Sequence, residues 1–210
     1  MEEVEKVTKA LKLVERYEEY LFRKAFGVLF IVVGILGPLT GYLISNAQPL
    51  ANVLGVSADA FAIFTTVIIW IIGYAIILRS FASATIIYQK RHKFSFRRDA
   101  PHIIAIILIW FVSFFLINFA PERLMPVAWL WAAGISSVVT YIIIRKTHGN
   151  YPELLLTGLA LLITSLPIAA ISDLALAGSV SMVTFSASFF IGGLYSTVTA
   201  TRALGKSSSS

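Results

Sequence analysis

The stretch "AFGVLFIVVGILGPLTGYLIS", Ala25 to Ser45, contains no charged side chain. As a helix rising 1.5 Å per residue it is about 30 Å long, the thickness of the hydrocarbon layer of a bilayer. Lipid offers no partner to backbone N–H and C=O groups, so a run of this kind crosses it as a helix, which satisfies its backbone internally. Five further runs have the same character: Ala60 to Leu78, Pro101 to Phe119, Met125 to Ile144, Glu153 to Ile171 and Leu176 to Thr201. Composition agrees, with 58% hydrophobic and 13% charged residues and a mean hydropathy of +0.83, against about a quarter charged in soluble domains. The predicted fold is all-α: a polytopic membrane protein of six transmembrane helices arranged as three hairpins, forming one domain over 25–204 and followed by a flexible Ser-rich tail at 205–210.

The cations between the runs set an orientation. Lys6, Lys9, Lys12, Arg16, Arg23 and Lys24 precede the first run. Arg79, Lys90, Arg91, Lys93, Arg97 and Arg98 join the second to the third, Arg145 and Lys146 the fourth to the fifth, and Arg202 and Lys206 follow the sixth. The alternate connections, "NAQPLANVLGVSAD", "APERL" and "SDLA", hold Arg123 alone. Lys and Arg concentrate on the cytoplasmic side of membrane proteins, so both termini are expected in the cytoplasm and the chain in the plasma membrane.

Residues 1–24 read as an amphipathic helix. Val4, Val7, Leu11, Val14, Tyr17 and Leu21 share one face, with most charges opposite. Six cations are matched by Glu2, Glu3, Glu5, Glu15, Glu18 and Glu19, so attraction to anionic lipid is weak. Three placements are open: along the cytoplasmic face of its own bundle, which is the expectation, against another chain or a second copy, or running directly into the first span.

Two small-residue patterns suggest how the spans meet. Gly27, Gly34 and Gly41 recur every seven residues, and Gly37 with Gly41 forms a GxxxG, so one face of the first span admits another backbone closely. Ser181, Thr184, Ser188, Gly192, Ser196 and Thr199 form a stripe on the last span. The two faces either pack together or frame a polar pathway. Pro38 and Pro167 each remove a backbone donor within a span and are hinge candidates; Thr164 or Ser165 is placed to help re-satisfy the local backbone where Pro167 leaves the Ile163 carbonyl free. Asp99 before Pro101, and Asn150 before Pro152 and Glu153, look like capped helix starts.

No catalytic residue, metal ligand set or cofactor is expected. Cysteine is absent, and His92, His102 and His148 are far apart. No P-loop is present, and no titratable group is expected at membrane depth. The basic stretch "YQKRHKFSFRRDAPH", with Lys90, Arg91, Lys93, Arg97 and Arg98, interleaves cations and aromatic rings. Nucleic acid is not an expected partner, because a short segment tethered at both ends has no folded platform for stacked bases. It either rests on lipid head groups as a topology anchor or docks a cytoplasmic protein, with "FASATIIYQ" prolonging the second helix outward. Partners are therefore expected to be the bilayer and a protein, or a second copy, reached through the N-terminal helix and the 80–99 segment.

In layout, an N-terminal interfacial helix, six spans and a prominent second-to-third connection resemble the membrane subunits of some ABC exporters, where that connection couples to the ATPase. The tight "SDLA" turn departs from that pattern, which has longer re-entrant structure there. The functional expectation is a non-catalytic, permease-type subunit energised by a separate cytoplasmic partner. A structural or assembly subunit without a pathway of its own is the alternative.

Overall fold

The computed structural model describes the backbone of residues 2–92, 96–147 and 149–205, and the side chains of 3–89, 100–146 and 149–202. Most of the described residues are helical, with no strand among them. In order the helices are α1 (Glu2–Ser45), α2 (Ala47–Leu54), α3 (Ala58–His92), α4 (Phe96–Leu116), α5 (Met125–Thr147), α6 (Pro152–Ala169) and α7 (Leu174–Gly205). Six of them, all but α2, are long and apolar enough to cross a membrane.

α1 corrects the reading of residues 1–24 as a separate helix on the bundle surface. It is one helix from Glu2 to Ser45, so the amphipathic segment runs straight into the first span. No Gly or Pro occurs before Gly27, and nothing in that stretch favours a break. The connection after α1 is not irregular either, since α2 fills most of it and ends at Gly55, whose φ of 68° is the left-handed C-cap that glycine accepts without strain.

The two expected caps are not formed. α4 begins at Phe96, so Asp99 is in its first turn and Pro101 in its second. α6 starts after Tyr151, without a side-chain cap, and Asn150 instead accepts from the Tyr141 hydroxyl at 3.1 Å. By contrast Asp173 caps α7, accepting from the N–H groups of Ala175 (2.9 Å) and Leu176 (3.1 Å).

The most extensive helix contact is α1 on α7, antiparallel, followed by α5 on α6; α3 packs on α1 and α4 on α5. α5 is the most enclosed, with 56% of its apolar window buried against 6% for α4. Helices in lipid gain nothing from hiding apolar surface from water, so close approach and interhelical hydrogen bonds decide which pairs form. Each tryptophan supplies one such bond through its indole N–H: Trp70 of α3 to Thr40 of α1 (3.1 Å), Trp110 of α4 to Thr140 of α5 (3.1 Å), Trp129 of α5 to Ser181 of α7 (3.2 Å, shared with the Pro126 carbonyl of its own helix at 2.8 Å), and Trp131 of α5 to Ser165 of α6 (2.7 Å). Every one ties a helix to a neighbour.

Backbones meet at glycines. A Cβ on Gly193 would lie 2.9 Å from the Gly27 carbonyl oxygen, and one on Gly158 would lie 2.8 Å from that of Gly134. Both obstacles are main chain, so the helices themselves would have to separate. Gly193→Ala and Gly158→Ala are therefore expected to destabilise by about 1–3 kcal/mol each, lowering the unfolding midpoint in detergent. Gly178→Ala, where a Cβ meets nothing within 4 Å, is expected to leave the midpoint unchanged or raise it slightly.

Candidate functional site: a buried charge junction of α1, α6 and α7

Where the first span begins, Arg23 of α1 points into the bundle and only 12% of its side chain is exposed. Its Nε donates to Glu19 Oε1 at 2.9 Å, one turn earlier on the same helix. Its Nη1 reaches Glu153 Oε2 at 3.4 Å and Thr199 Oγ1 at 3.3 Å, and its Nη2 donates to the Asn150 carbonyl at 3.2 Å. One guanidinium thus joins α1, the α5–α6 connection, α6 and α7.

Glu153 is fully buried in the first turn of α6. A helix N-terminus favours a carboxylate, and its two oxygens have separate partners. Oε2 faces Arg23, while Oε1 lies 2.8 Å from the hydroxyl of Ser196, which is also 2.7 Å from the Arg23 carbonyl. Ser196 is fully buried, and its one hydroxyl lies within hydrogen-bond reach of acceptors on two helices. Tyr151 closes the junction from the side: its ring lies 5.0 Å from that of Phe26 and 5.9 Å from the Arg23 guanidinium. Burial, reinforced by the Glu19 carboxylate, pushes the Tyr151 hydroxyl above its ordinary range, so it stays protonated. A recess of about 430 Å³, lined by Glu15, Glu18, Glu19, Arg23, Asn150 and Tyr151, opens beside it.

The attraction within this ion pair falls as the local dielectric rises, so water entering the junction would weaken it. Sequence reasoning placed Ser196 in the small-residue stripe, Arg23 among the topology cations and Glu153 at a helix start. It did not bring them together. No spacing rule links them, because they lie 130 and 43 positions apart.

The other predicted residues are placed as follows. A Cβ on Gly34 would meet Phe189 and the Ser186 carbonyl, one on Gly37 the Phe185 ring, and one on Gly41 the Met182 side chain, so the glycine face of α1 lies on α7. Ser186 also donates to the Gly34 carbonyl at 2.6 Å. The stripe drawn on α7 does not face α1 as a unit. Ser181 takes the Trp129 bond from α5 and Gly192 lies against Thr157 of α6, whereas Met182, Phe185, Ser186, Phe189 and Gly193 face α1. Thr184 and Ser188 are half-buried. Pro38 lies inside α1 and Pro167 near the end of α6. Thr164 donates to Ala160 O (2.6 Å) and Ser165 to Leu162 O (2.6 Å), rather than to the Ile163 carbonyl that Pro167 leaves free. Lys90 and Arg91 are on the last turn of α3 and Arg97 and Arg98 on the first turn of α4, their side chains outside the described residues; Lys93 lies outside them altogether.

Removing one partner of a buried pair strands the other's charge. Arg23→Met is therefore expected to destabilise by about 3–5 kcal/mol, read as a lowered unfolding midpoint in detergent. Adding Glu153→Gln to Arg23→Met is expected to recover a large part of that loss.

Comparison with protein-family models, with curated proteins and with solved structures finds no match to this chain.

Proposed function

We propose that this chain is a non-catalytic, permease-type subunit of a plasma-membrane transporter, energised by a separate partner that docks where the termini emerge. The observation that carries this reading is the length of α3. Its apolar run ends at Leu78, and the helix continues to His92, so that its last turns, beyond Phe81 at the level of Phe26, pass the start of the first span. The Phe81 ring lies 5.3 Å from Phe26 and the Tyr88 ring 5.9 Å from Phe22 of α1, both edge-on. The connection rich in Lys and Arg is thus carried at the tip of a braced helical arm and resumes as helix at Phe96. That geometry suits a protein surface better than a sheet of lipid head groups. The Arg23–Glu153–Ser196 junction at the same end is the contact through which a docked partner would loosen or tighten three helices.

A second reading, a structural or assembly subunit with no pathway, is favoured by the closed seam between α1 and α7. Side chains and main chain of α7 fill the glycine face of α1, so no route follows that seam while the helices stay together.

The asymmetry of Lys and Arg supports cytoplasmic termini. Because the chain has no cysteine, a membrane-impermeant thiol reagent applied to intact cells is expected to label Ala120→Cys and not Ser209→Cys. Extraction in mild detergent is expected to co-purify a nucleotide-hydrolysing protein at fixed stoichiometry. Replacing Lys90, Arg91, Lys93, Arg97 and Arg98 with Gln is expected to lower its recovery several-fold with the orientation unchanged. Unchanged recovery with disturbed orientation would reduce the segment to a topology anchor, and a protein purifying alone would sink the permease and assembly readings together.

A further inference from the structure

We propose that Ser186 of α7 is a latch on a hinge at Pro38 of α1, holding the last turns of α1 against α7 and freeing them to swing away on release. In a helix each N–H donates to the carbonyl four residues earlier, and proline has no N–H. Pro38 lies inside α1, so the carbonyl of Gly34 has no donor within its own helix. The Ser186 hydroxyl replaces that donor from across the seam, at 2.6 Å. Lipid offers no substitute. At Pro167, by contrast, only Ile168 and Ala169 remain in the helix, so that proline has no segment to turn.

The contacts on the two sides of Pro38 differ. Before it, main chain meets main chain: a Cβ on Gly193 would lie 2.9 Å from the Gly27 carbonyl oxygen, and one on Gly34 would lie 3.2 Å from that of Ser186. Beyond it, Gly41 lies against the end of the Met182 side chain, an unbranched thioether that repacks easily. Thr40, on the same last turns, accepts from Trp70 of α3 at 3.1 Å, and α2, which follows, packs on α3. The segment Pro38–Ser45 is thus tied to α3 and leans on α7, so the freedom that a bend at Pro38 gives it is away from α7. Space adjoins the hinge, in a groove of about 450 Å³ lined by Pro38, Met182, Val183, Ser186, Ala187 and Phe190.

Release does not strand the hydroxyl. A serine in a helix can donate to the carbonyl four residues earlier, which here is that of Met182, so Ser186 has two acceptors and the latch two positions. The latched position is favoured because it alone gives the Gly34 carbonyl a donor. As a gate the device rests on the permease reading, since what it opens is the seam of α1 and α7 beyond Pro38. As a latch it stands on Pro38, Gly34 and Ser186 alone.

The absence of cysteine allows spin labels to be placed on the full chain at Ser45→Cys, exposed at the end of α1, and at Gly178→Cys, where a Cβ meets nothing within 4 Å. In lipid, Ser186→Ala is expected to raise the population of the longer interspin distance roughly three-fold, the ratio that one interhelical hydrogen bond carries there. Ser186→Thr, which keeps the hydroxyl, is expected to match the parent. Pro38→Ala returns an N–H to the Gly34 carbonyl, so adding Ser186→Ala to Pro38→Ala is expected to leave the distances unchanged. An unchanged distribution in Ser186→Ala, the same change with and without Pro38→Ala, or a Ser186→Thr variant that behaves as Ser186→Ala would overturn the proposal. The distances need no partner, so their failure does not touch the permease reading, nor does the failure of that reading touch them.

Discussion

The approach of α1 to α7 at Gly27 and Gly193 is the constraint from which the rest of the bundle follows. With a Cβ on Gly193 only 2.9 Å from a main-chain oxygen, the two helices are as close as backbones allow, and dispersion then acts along their length. This contact brings Arg23, one turn before Gly27, to the level of Ser196, one turn after Gly192. It also sets Gly34 where Ser186 can donate to its carbonyl. A wider spacing would lose both the hydrogen bond and the charge junction, so packing and polar chemistry here are one arrangement.

Elsewhere the bundle uses a different contact. An indole N–H that donates to a hydroxyl on the next helix is worth on the order of 0.6 kcal/mol, at most about 1–2, in lipid. Four of them join α3 to α1, α4 to α5, and α5 to both α6 and α7. α3 and α4 are each held by one such bond and by side-chain packing. Direct main-chain approach at paired glycines is kept for the inner pairs, α1 with α7 and α5 with α6.

The long apolar runs were legible because a run of about 20 uncharged residues has few other fates, and a helix lies along each, α1 reaching back to Glu2 and α3 running on to His92. The continuity of α1 was obscured because amphipathic periodicity reports which face is apolar and says nothing about where the helix axis points. The informative feature was the lack of any Gly or Pro before Gly27. Capping residues misled at Asp99 and Asn150, since a cap is a local preference of about 1 kcal/mol that tertiary contacts outweigh. At Asn150 that contact is the Tyr141 hydroxyl. The Arg23–Glu153–Ser196 junction joins residues 130 and 43 positions apart, and such separations leave no periodic trace in a single chain.

The stripe on α7 shows most clearly what spacing alone leaves undecided. Small residues at steps of three and four mark a face, but α7 lies between α1 on one side and α5 with α6 on the other, so it needs two such faces. Successive residues of a helix are about 100° apart, and the adjacent glycines serve one neighbour each. Gly192 lies against Thr157 of α6, and Gly193 against Gly27 and Ile31 of α1. Ser196, one turn further, lies between the two faces and is within hydrogen-bond reach of an acceptor on each. A side chain added at either glycine therefore cannot be accommodated by moving α7 away from one neighbour, because that movement presses it against the other. The pair Gly192–Gly193 thus leaves α7 little freedom to move between its neighbours, and Ser196 makes the same point in hydrogen bonds.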